Sequence, residues 1–263
     1  MKRKRGQYFY ACGTNGIPGN IEIDGKIYVL EKVLKHDFFA ATSLYIAIMN
    51  EPGCPSKLIL KQNRRQHFFG IPLVWLGQML RNHELEILNR LSPLKQVPHP
   101  ITKYGQTGFI YEYIEGYTLD ESQELPEHFF DNLSDLLNQI HRQSVVYLDM
   151  NKRGNIIVGA DEEPYIIDFQ ISLSFDPNPW LFTSLKKNIQ QVLKDADIYH
   201  LFKHKRKLAP ETLRPKEKTI SRPNPLIELH RCLANPYRSL RRKILEFLKK
   251  QGLVHSDNAS EHH

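Results

Sequence analysis

Two short acidic segments in the middle of the chain carry the residue types that phosphoryl transfer requires. Asp149 follows a short apolar run, and Asn155 comes six residues later at the start of an Ile-Ile-Val segment. A turn rich in glycine and acidic residues, 159–164, leads into a second apolar run that delivers Asp168. One carboxylate can orient an attacking hydroxyl, while an amide oxygen and a second carboxylate can hold Mg²⁺ against nucleotide phosphates. These residues predict an ATP-dependent enzyme of the kinase type.

The two segments resemble the catalytic loop and the metal-binding loop of the protein-kinase superfamily. The nearer likeness is to its small atypical bacterial members, the RIO-type kinases and the lipopolysaccharide core kinases. Ordinary protein kinases carry H-R-D-x-x-x-x-N followed by D-F-G. This chain has Tyr-Leu-Asp at 147–149, one extra residue before Asn155, and Asp-Phe-Gln at 168–170. The resemblance implies an α+β, bilobal protein-kinase-like fold, with a β-rich N-terminal lobe and a mainly helical C-terminal lobe that ends in a short atypical part.

The resemblance also implies a role for each polar residue of these loops. Asp149 is the catalytic base or orients the acceptor hydroxyl, and Asn155 and Asp168 are ligands of Mg²⁺, with Mn²⁺ as a substitute. Lys152 would neutralise the transferring phosphate, and a solvated turn residue is the equal alternative for it. Taken singly, these residues are ordinary turn and cap residues. Their combination around a strand-turn-strand segment favours the catalytic interpretation.

A buried lysine and a buried glutamate are predicted to hold the nucleotide phosphates. Lys61 ends a strand of apolar residues, and Glu84 lies on the apolar face of a helix predicted over 71–91. A carboxylate on a buried face is costly unless it is paired. By the resemblance, Glu84 pairs with Lys61 and so places the lysine on the α- and β-phosphates of ATP. The alternatives are a lysine that extends to solvent and a boundary glutamate.

Two further segments are expected to contact the nucleotide. The segment 35–42 stands where ordinary kinases carry a glycine-rich loop, but it has no glycine. Lys35 could contact phosphate, and Ala40 is small enough for a close backbone approach. A plain β-turn with its two phenylalanines packed into the lobe is the alternative. The backbone of Glu112 and Ile114, in a segment that resembles a kinase hinge, is expected to bond the adenine edge.

The predicted elements follow the lobe order of a kinase. Apolar patterning and turn signals predict four strands, over 21–24, 26–33, 42–49 and 58–61. A later helix, with Pro126 as an early residue, is predicted from six apolar side chains at helical spacing, namely Phe129, Phe130, Leu133, Leu136, Leu137 and Ile140. We predict an N-terminal lobe at 1–111, with a basic, glycine-containing, flexible leader at 1–20, a C-terminal lobe at 112–208 and a basic, proline-containing tail at 209–263.

The positive charge of the chain is concentrated in the tail. The stretch 203–250 has 15 Lys or Arg against 4 Asp or Glu, a local charge of +11 against +7 for the whole chain, which leaves −4 elsewhere. Within it, 237–250 is predicted to form a basic amphipathic helix. Docking on the C-terminal lobe, binding to an anionic membrane surface and binding to nucleic acid are the alternatives. Nucleic acid is the least favoured because few aromatic residues are interleaved with the basic ones.

Composition is that of a folded globular chain. Its 263 residues, 41% hydrophobic and 25% charged, suffice for one two-lobed domain. No run approaches the roughly 20 apolar residues of a membrane span. Three scattered cysteines argue for a reducing compartment and against a disulfide framework. We expect a cytoplasmic location, with the tail available for peripheral attachment to the inner membrane face.

Three functions agree with these features. The favoured one is an ATP-dependent phosphotransferase that moves the γ-phosphate in line to a hydroxyl, either of protein Ser or Thr or of a lipopolysaccharide or other glycolipid sugar. Its partners would be ATP and that acceptor. The missing glycine-rich loop and the Tyr-Leu replacement motivate a second hypothesis, a pseudokinase that binds nucleotide without transfer. The basic tail motivates a third, a membrane- or RNA-associated scaffold.

Overall fold

The computed structural model describes residues 10–13, 16–49, 53–68, 70–121, 124–175 and 183–222, with side chains of the last range from residue 187 onwards. The chain divides into two compact units. The described part of the first unit comprises the residues up to Arg81 together with Ile101–Glu112. That of the second comprises Asn82–Pro100 and the residues from Tyr113 onwards. The helix predicted at 237–250 and most of the basic leader lie outside the described residues.

A six-stranded sheet forms the first unit. Its strands are β1 (Asn20–Ile23), β2 (Lys26–His36), β3 (Ala40–Ala47), β4 (Lys57–Asn63), β5 (Pro100–Tyr104) and β6 (Gly108–Glu112), in the order β1-β2-β3-β4-β6-β5. Asp24 and Gly25 both have positive φ, 50° and 78°, as a two-residue turn between twisted antiparallel strands requires. The four strands predicted from the sequence are confirmed, with their ends moved by a few residues.

The two faces of this sheet differ in the side chains that they carry. One face packs an apolar core of Ile21, Tyr28, Tyr45, Leu58, Leu60 and Ile110. Because side chains alternate along a strand, Ile59 and Lys61 project from the opposite face of β4. There Lys61 pairs in register with Thr42 and Phe109. Lys61 is only 5% exposed, so its side chain is largely removed from solvent.

Residues 10–13 pack on the first unit and do not belong to a flexible leader. Ala11 is fully buried, and Cys12 is 4% exposed. The N–H of Ala11 donates to the carbonyl of Asp37 at 2.8 Å, and the carbonyl of Ala11 accepts the N–H of Arg65 at 2.9 Å. The prediction of flexibility is wrong here because it rested on the glycines and overlooked the small apolar pair beside them.

Helix α1 (Val74–Arg90) carries the predicted glutamate. Glu84 is 2% exposed and lies among the buried residues Leu85, Ile87 and Leu88, whereas Glu86 is exposed. This is the arrangement that helical spacing predicts, since positions three and four apart share a face. The burial of Glu84 is therefore confirmed.

The second unit contains the end of α1, two small sheets and three further helices. Strands β7 (Gly116–Thr118), β9 (Ile156–Gly159) and β10 (Pro164–Ile166) form one sheet, and β8 (Val145–Val146) pairs with β11 (Leu173–Ser174). The helices are α2 (Phe129–Arg142), α3 (Thr183–Leu208) and α4 (Pro215–Ile220). All six apolar residues predicted for the buried face of α2 are buried, namely Phe129, Phe130, Leu133, Leu136, Leu137 and Ile140. Pro126 lies before α2 instead of inside it, because its carbonyl closes the preceding turn with the N–H of Phe129.

The sequence predicts an extended connector at Pro210, Pro215, Pro223 and Pro225, but the two described prolines, Pro210 and Pro215, belong to folded turns. Pro223 and Pro225 lie outside the described residues. Pro210 opens a single helical turn, and Pro215 is the first residue of α4. The physical reason is an ion pair: buried Lys205 of α3 lies 3.0 Å from Glu217 of α4 and 3.1 Å from Asp131 of α2. Neither α3, at 26 residues, nor any other helix in the described ranges is long and apolar enough to cross a membrane.

Gly77 is predicted to set how closely α1 approaches the end of β4. A Cβ at this position would lie 2.0 Å from the carbonyl oxygen of Arg64, a backbone atom that cannot move aside alone. Gly77→Ala should therefore lower the free energy of unfolding by about 1–3 kcal/mol, even though alanine is the better helix former by about 1 kcal/mol. Urea unfolding measures the change. Gly19→Ala is the control, because a Cβ there meets nothing within 4 Å. A Gly77→Ala variant that gained stability would contradict the close approach.

Candidate active site

The hairpin of β9 and β10 brings the two acidic segments together. Ile156 pairs with Ile166 in its register, so Asn155 immediately precedes one strand and Asp168 follows shortly after the other. The N–H of Ile167 donates to the carbonyl of Asn155 at 3.0 Å, which extends the pairing towards Asp168. Asn155 and Asp168 therefore leave the same end of the hairpin, as two ligands of one cation must.

The loop from Asp149 to Asn155 consists of two consecutive turns. The N–H of Lys152 donates to the carbonyl of Asp149 at 3.0 Å, and the N–H of Asn155 donates to the carbonyl of Lys152 at 3.2 Å. This path folds back so that Nδ2 of Asn155 donates to Oδ2 of Asp149 at 2.9 Å. The extra residue of the loop therefore does not separate the predicted catalytic carboxylate from the predicted metal ligand.

Asp149 is buried, and the more exposed Lys152 balances the charge of its carboxylate. Its side chain is 2% exposed, whereas that of Lys152, which donates Nζ to Oδ2 of Asp149, is 42% exposed. A buried carboxylate needs such donors, since an unpaired charge in the interior is costly. Lys152 thus belongs to the candidate site, with its ammonium on the carboxylate that is predicted to be catalytic.

The backbone is left-handed at two non-glycine positions of the site. Leu148 has a φ of 67° and Asp168 a φ of 62°. An L-residue pays about 1–2 kcal/mol for this conformation, which persists only where the surrounding contacts over-determine it. The surrounding contacts must therefore impose the backbone at Leu148, next to Asp149, and at Asp168.

Asp197 of α3 supplies such contacts, and the sequence analysis missed it. Its side chain is buried, and its two oxygens accept the N–H of Tyr147 and the N–H of Leu148, each at 2.9 Å. Nε2 of His141 lies 3.1 Å from Oδ2. A signal was present, because Asp197 falls on the buried face of α3 together with Leu193, Ala196 and Leu201. The argument that identified Glu84 applies to it equally.

Tyr147 joins the catalytic loop to the metal-binding loop. It is fully buried, its hydroxyl donates to the carbonyl of Ile167 at 2.5 Å, and its ring packs edge-on against Phe169 with centroids 5.1 Å apart. Burial, with the charges of Asp149 and Asp168, raises the pKa of Tyr147 well above its usual value, so the phenol stays a donor. The tyrosine that replaces the histidine of the kinase motif therefore fastens the two loops to each other.

The predicted phosphate-binding turn between β2 and β3 is closed by its own side chain. Oδ1 of Asp37 accepts the N–H of Phe39 at 2.8 Å and that of Ala40 at 3.0 Å. Phe38 is buried, and Nζ of Lys35 lies 3.4 Å from Oδ2 of Asp37. This geometry matches the plain β-turn that the sequence left as an alternative. The N–H of Ala40 is therefore engaged within the turn and donates to Asp37.

The other predicted nucleotide-binding residues lie where the sequence analysis expected their elements. Lys61 and Glu84 are both buried, on β4 and α1. Glu112 is exposed at the end of β6, and Ile114 is half-buried in the segment before β7. The pairing of Lys61 with Glu84, and the adenine contacts of Glu112 and Ile114, stay predictions.

The two loops supply the oxygen donors that Mg²⁺ prefers. Nδ2 of Asn155 is the atom bonded to Asp149, so that bond does not consume its amide oxygen, and Asp168 adds a carboxylate. Within the part of the chain that the structure describes, no three His, Cys, Asp or Glu side chains are grouped to hold a metal by themselves. A cation here would depend on phosphate oxygens as well, which is how Mg²⁺ is usually held at phosphoryl-transfer sites. The donor set therefore fits a magnesium nucleotide.

Asp197→Asn should loosen the start of the catalytic loop. The amide accepts through one oxygen only, so a buried N–H of Tyr147 or Leu148 loses its acceptor, at a cost of about 1–3 kcal/mol in the free energy of unfolding. Amide hydrogen exchange at these two residues should become faster. Asp195→Asn is the matched control, since Asp195 is exposed on the same helix. Equal effects of the two substitutions would refute the anchoring role.

Comparison with known proteins agrees with this geometry. The family model described as the RIO domain matches residues 72–205, just over half of the chain. No curated protein matches. The structure of the Rio2 kinase–ADP/Mg2+–phosphoaspartate complex from Chaetomium thermophilum is similar, with a TM-score of 0.53 and 13% identity over 76% of this chain and 60% of that chain. A second Rio2 kinase structure from the same organism has a TM-score of 0.49 and 15% identity, over 69% of this chain and 59% of that chain.

This likeness shows the fold. The chain spans about 60% of the length of the first Rio2 structure. The α+β, bilobal protein-kinase-like fold expected from the sequence, with its β-rich N-terminal part followed by helices, is confirmed. The segment matched by the RIO-domain model contains the catalytic loop, the metal-binding loop and Asp197. The chain therefore belongs to the RIO-domain family of atypical, protein-kinase-like proteins.

Proposed function

We propose that this protein transfers the γ-phosphate of ATP to a hydroxyl acceptor. The observation that carries the proposal is the hydrogen bond between Asn155 and Asp149, on a loop that the β9–β10 hairpin joins to Asp168. Membership of the RIO-domain family supports it. The similar Rio2 structure is itself a complex with ADP and Mg²⁺.

Asp149 is the residue suited to orient the acceptor. A carboxylate held by two donors on one oxygen has a defined direction, so it can accept the hydroxyl proton and aim the oxygen at phosphorus. Lys152, already bonded to that carboxylate, adds a positive charge beside the group in transfer. Together they orient the acceptor and offset charge that develops during transfer.

Asn155 and Asp168 would hold Mg²⁺, with Mn²⁺ as a chemically acceptable substitute. When bound, the cation neutralises charge on the nucleotide phosphates. The protein's own part is to keep an amide oxygen and a carboxylate at one end of the hairpin. Tyr147 contributes by tying the backbone before Asp168 to the catalytic loop.

Lys61 would position the α- and β-phosphates, and its predicted pairing with Glu84 belongs to this proposal. The face of the sheet that carries Lys61 also carries Ile59, which suits the flat apolar surface of adenine. The backbone of Glu112 and Ile114 would bond the adenine edge. Asp37 accepts the N–H of Ala40 and also pairs with Lys35 at 3.4 Å, so a phosphate contact of Lys35 would replace that ion pair.

The acceptor is proposed to be a Ser or Thr hydroxyl of a protein, with a sugar hydroxyl of a glycolipid as the second choice. Family membership favours the protein acceptor. A cytoplasmic location is proposed with it. Attachment to an anionic membrane surface would fall to the predicted helix at 237–250, outside the described residues.

A nucleotide-binding protein without transfer activity is the second candidate. The closed turn between β2 and β3 favours it, because the N–H groups of Phe39 and Ala40 serve Asp37 instead of a phosphate. Such a protein would gain stability from nucleotide and release no phosphate. The two experiments below separate it from an active enzyme.

ATP and Mg²⁺ together should raise the unfolding temperature of the protein. A ligand at about 100 times its dissociation constant adds about 2.7 kcal/mol to the free energy of unfolding. Asp168→Asn removes a proposed cation ligand and should abolish the part of the shift that depends on Mg²⁺. Asp161→Asn, an exposed carboxylate in the turn of the same hairpin, is the control that should keep the full shift. No shift in the unmodified protein would rule out a working nucleotide site.

Turnover should separate the roles of Asp149 and Lys61. Asp149→Asn should keep the thermal shift but reduce phosphate transfer by about 100-fold or more, whereas Lys61→Ala should weaken both. Transfer is followed with radiolabelled ATP, including a test for acid-stable and hydroxylamine-labile phosphate on the protein. Unchanged ATP consumption in both variants would contradict the roles proposed for Asp149 and Lys61.

A further inference from the structure

Side chains of α3 hold the first turn of the catalytic loop. The turn 149–152 has Met150 and Asn151 as its central residues. Nε2 of His204 lies 2.9 Å from the carbonyl oxygen of Met150, and Nζ of Lys203 donates to Oδ1 of Asn151 at 3.1 Å. Two adjacent residues of one helix thus contact both central residues of the turn.

His204 is part of the protein interior. Its side chain is 4% exposed, and burial lowers its pKa to about 4, so the ring is neutral near pH 7. A carbonyl oxygen can only accept, so Nε2 carries the hydrogen in this contact. The bond satisfies a buried polar group on each side, and its removal would leave the carbonyl of Met150 without this donor.

His204 and Asp197 act on the loop from the same side of α3. They are seven residues apart, which is about two helical turns and places them on one face. Asp197 accepts N–H groups before Asp149, and His204 donates to the carbonyl that follows it. The backbone is therefore held on both sides of Asp149, by contacts of opposite polarity.

We propose that His204 is a positioning residue for the enlarged catalytic loop. Its bond to the carbonyl of Met150 holds the turn 149–152, and so keeps Asp149 in contact with Asn155. The inference rests on the proposed function, in which Asp149 orients the acceptor. His204 itself touches neither nucleotide nor acceptor and acts through the backbone of the loop.

Two substitutions of His204 distinguish positioning from general stability. His204→Phe keeps a ring and removes the donor, and we expect kcat to fall about 10- to 100-fold, the usual result of a small misplacement at a reacting centre. The KM for ATP should change little, because the residues proposed to hold the phosphates are untouched. His204→Gln can place an N–H near the position of Nε2 and should restore most of kcat.

Amide exchange tests the same claim without any assay of transfer. The N–H of Lys152 donates to the carbonyl of Asp149 and closes the turn, so its hydrogen exchange should accelerate in His204→Phe and return towards normal in His204→Gln. If the unmodified protein transfers no phosphate, the proposed function fails. The exchange data still decide whether His204 shapes the loop.

Phe202→Leu is the matched control. Phe202 is buried on the same helix, and its side chain cannot form a hydrogen bond. This variant should lose stability while kcat and the exchange of the Lys152 N–H stay normal. The proposal is overturned if His204→Phe leaves both readouts unchanged, if His204→Gln behaves like His204→Phe, or if Phe202→Leu produces the same changes.

Discussion

The catalytic loop depends on one buried carboxylate, that of Asp197. Leu148 has a left-handed backbone, and the N–H groups of Tyr147 and Leu148 face the interior, where water cannot satisfy them. Asp197 accepts both, with His141 beside it, and these donors offset the cost of burying a charge. The direction of Asp149 is therefore set by a helix that lies about 50 residues later in the chain.

The chain departs from the kinase motif in residue type, and hydrogen bonds join its catalytic loop to its metal-binding loop. Tyr147 stands in place of the motif's histidine, and its hydroxyl still bonds the backbone ahead of Asp168. The longer step from Asp149 to Asn155 is taken up by two tight turns, after which the side chains of the two residues meet. What phosphoryl transfer requires is the placement of a few oxygen and nitrogen atoms, and different side chains can reach those places from one fold.

At the tip of the β2–β3 hairpin, in the first unit, the charge of Asp37 is balanced within the turn itself. The carboxylate of Asp37 occupies the position that an anion would take at a pair of backbone N–H groups. Residues 10–13 bond the same tip, which leaves it a compact turn instead of an open glycine loop. In the proposed function, nucleotide affinity would then come from Lys61, from the cation and from Ile59, which lies on the same face of the sheet as Lys61.

By itself the sequence determined the features that local chemistry controls. Strand alternation, the Asp24–Gly25 turn and the buried side of α1 with Glu84 follow from spacing and turn propensity, and all are present. Asp195 and Asp197 stand two positions apart on one helix, yet one is exposed and the other 1% exposed with two backbone partners. Helical spacing places Asp197 on the buried face of α3, but only the packing of α3 against the catalytic loop gives it two backbone partners. Tertiary structure decided this anchor and the closed β2–β3 tip, because their hydrogen bonds join segments far apart in sequence or depend on a side chain's direction.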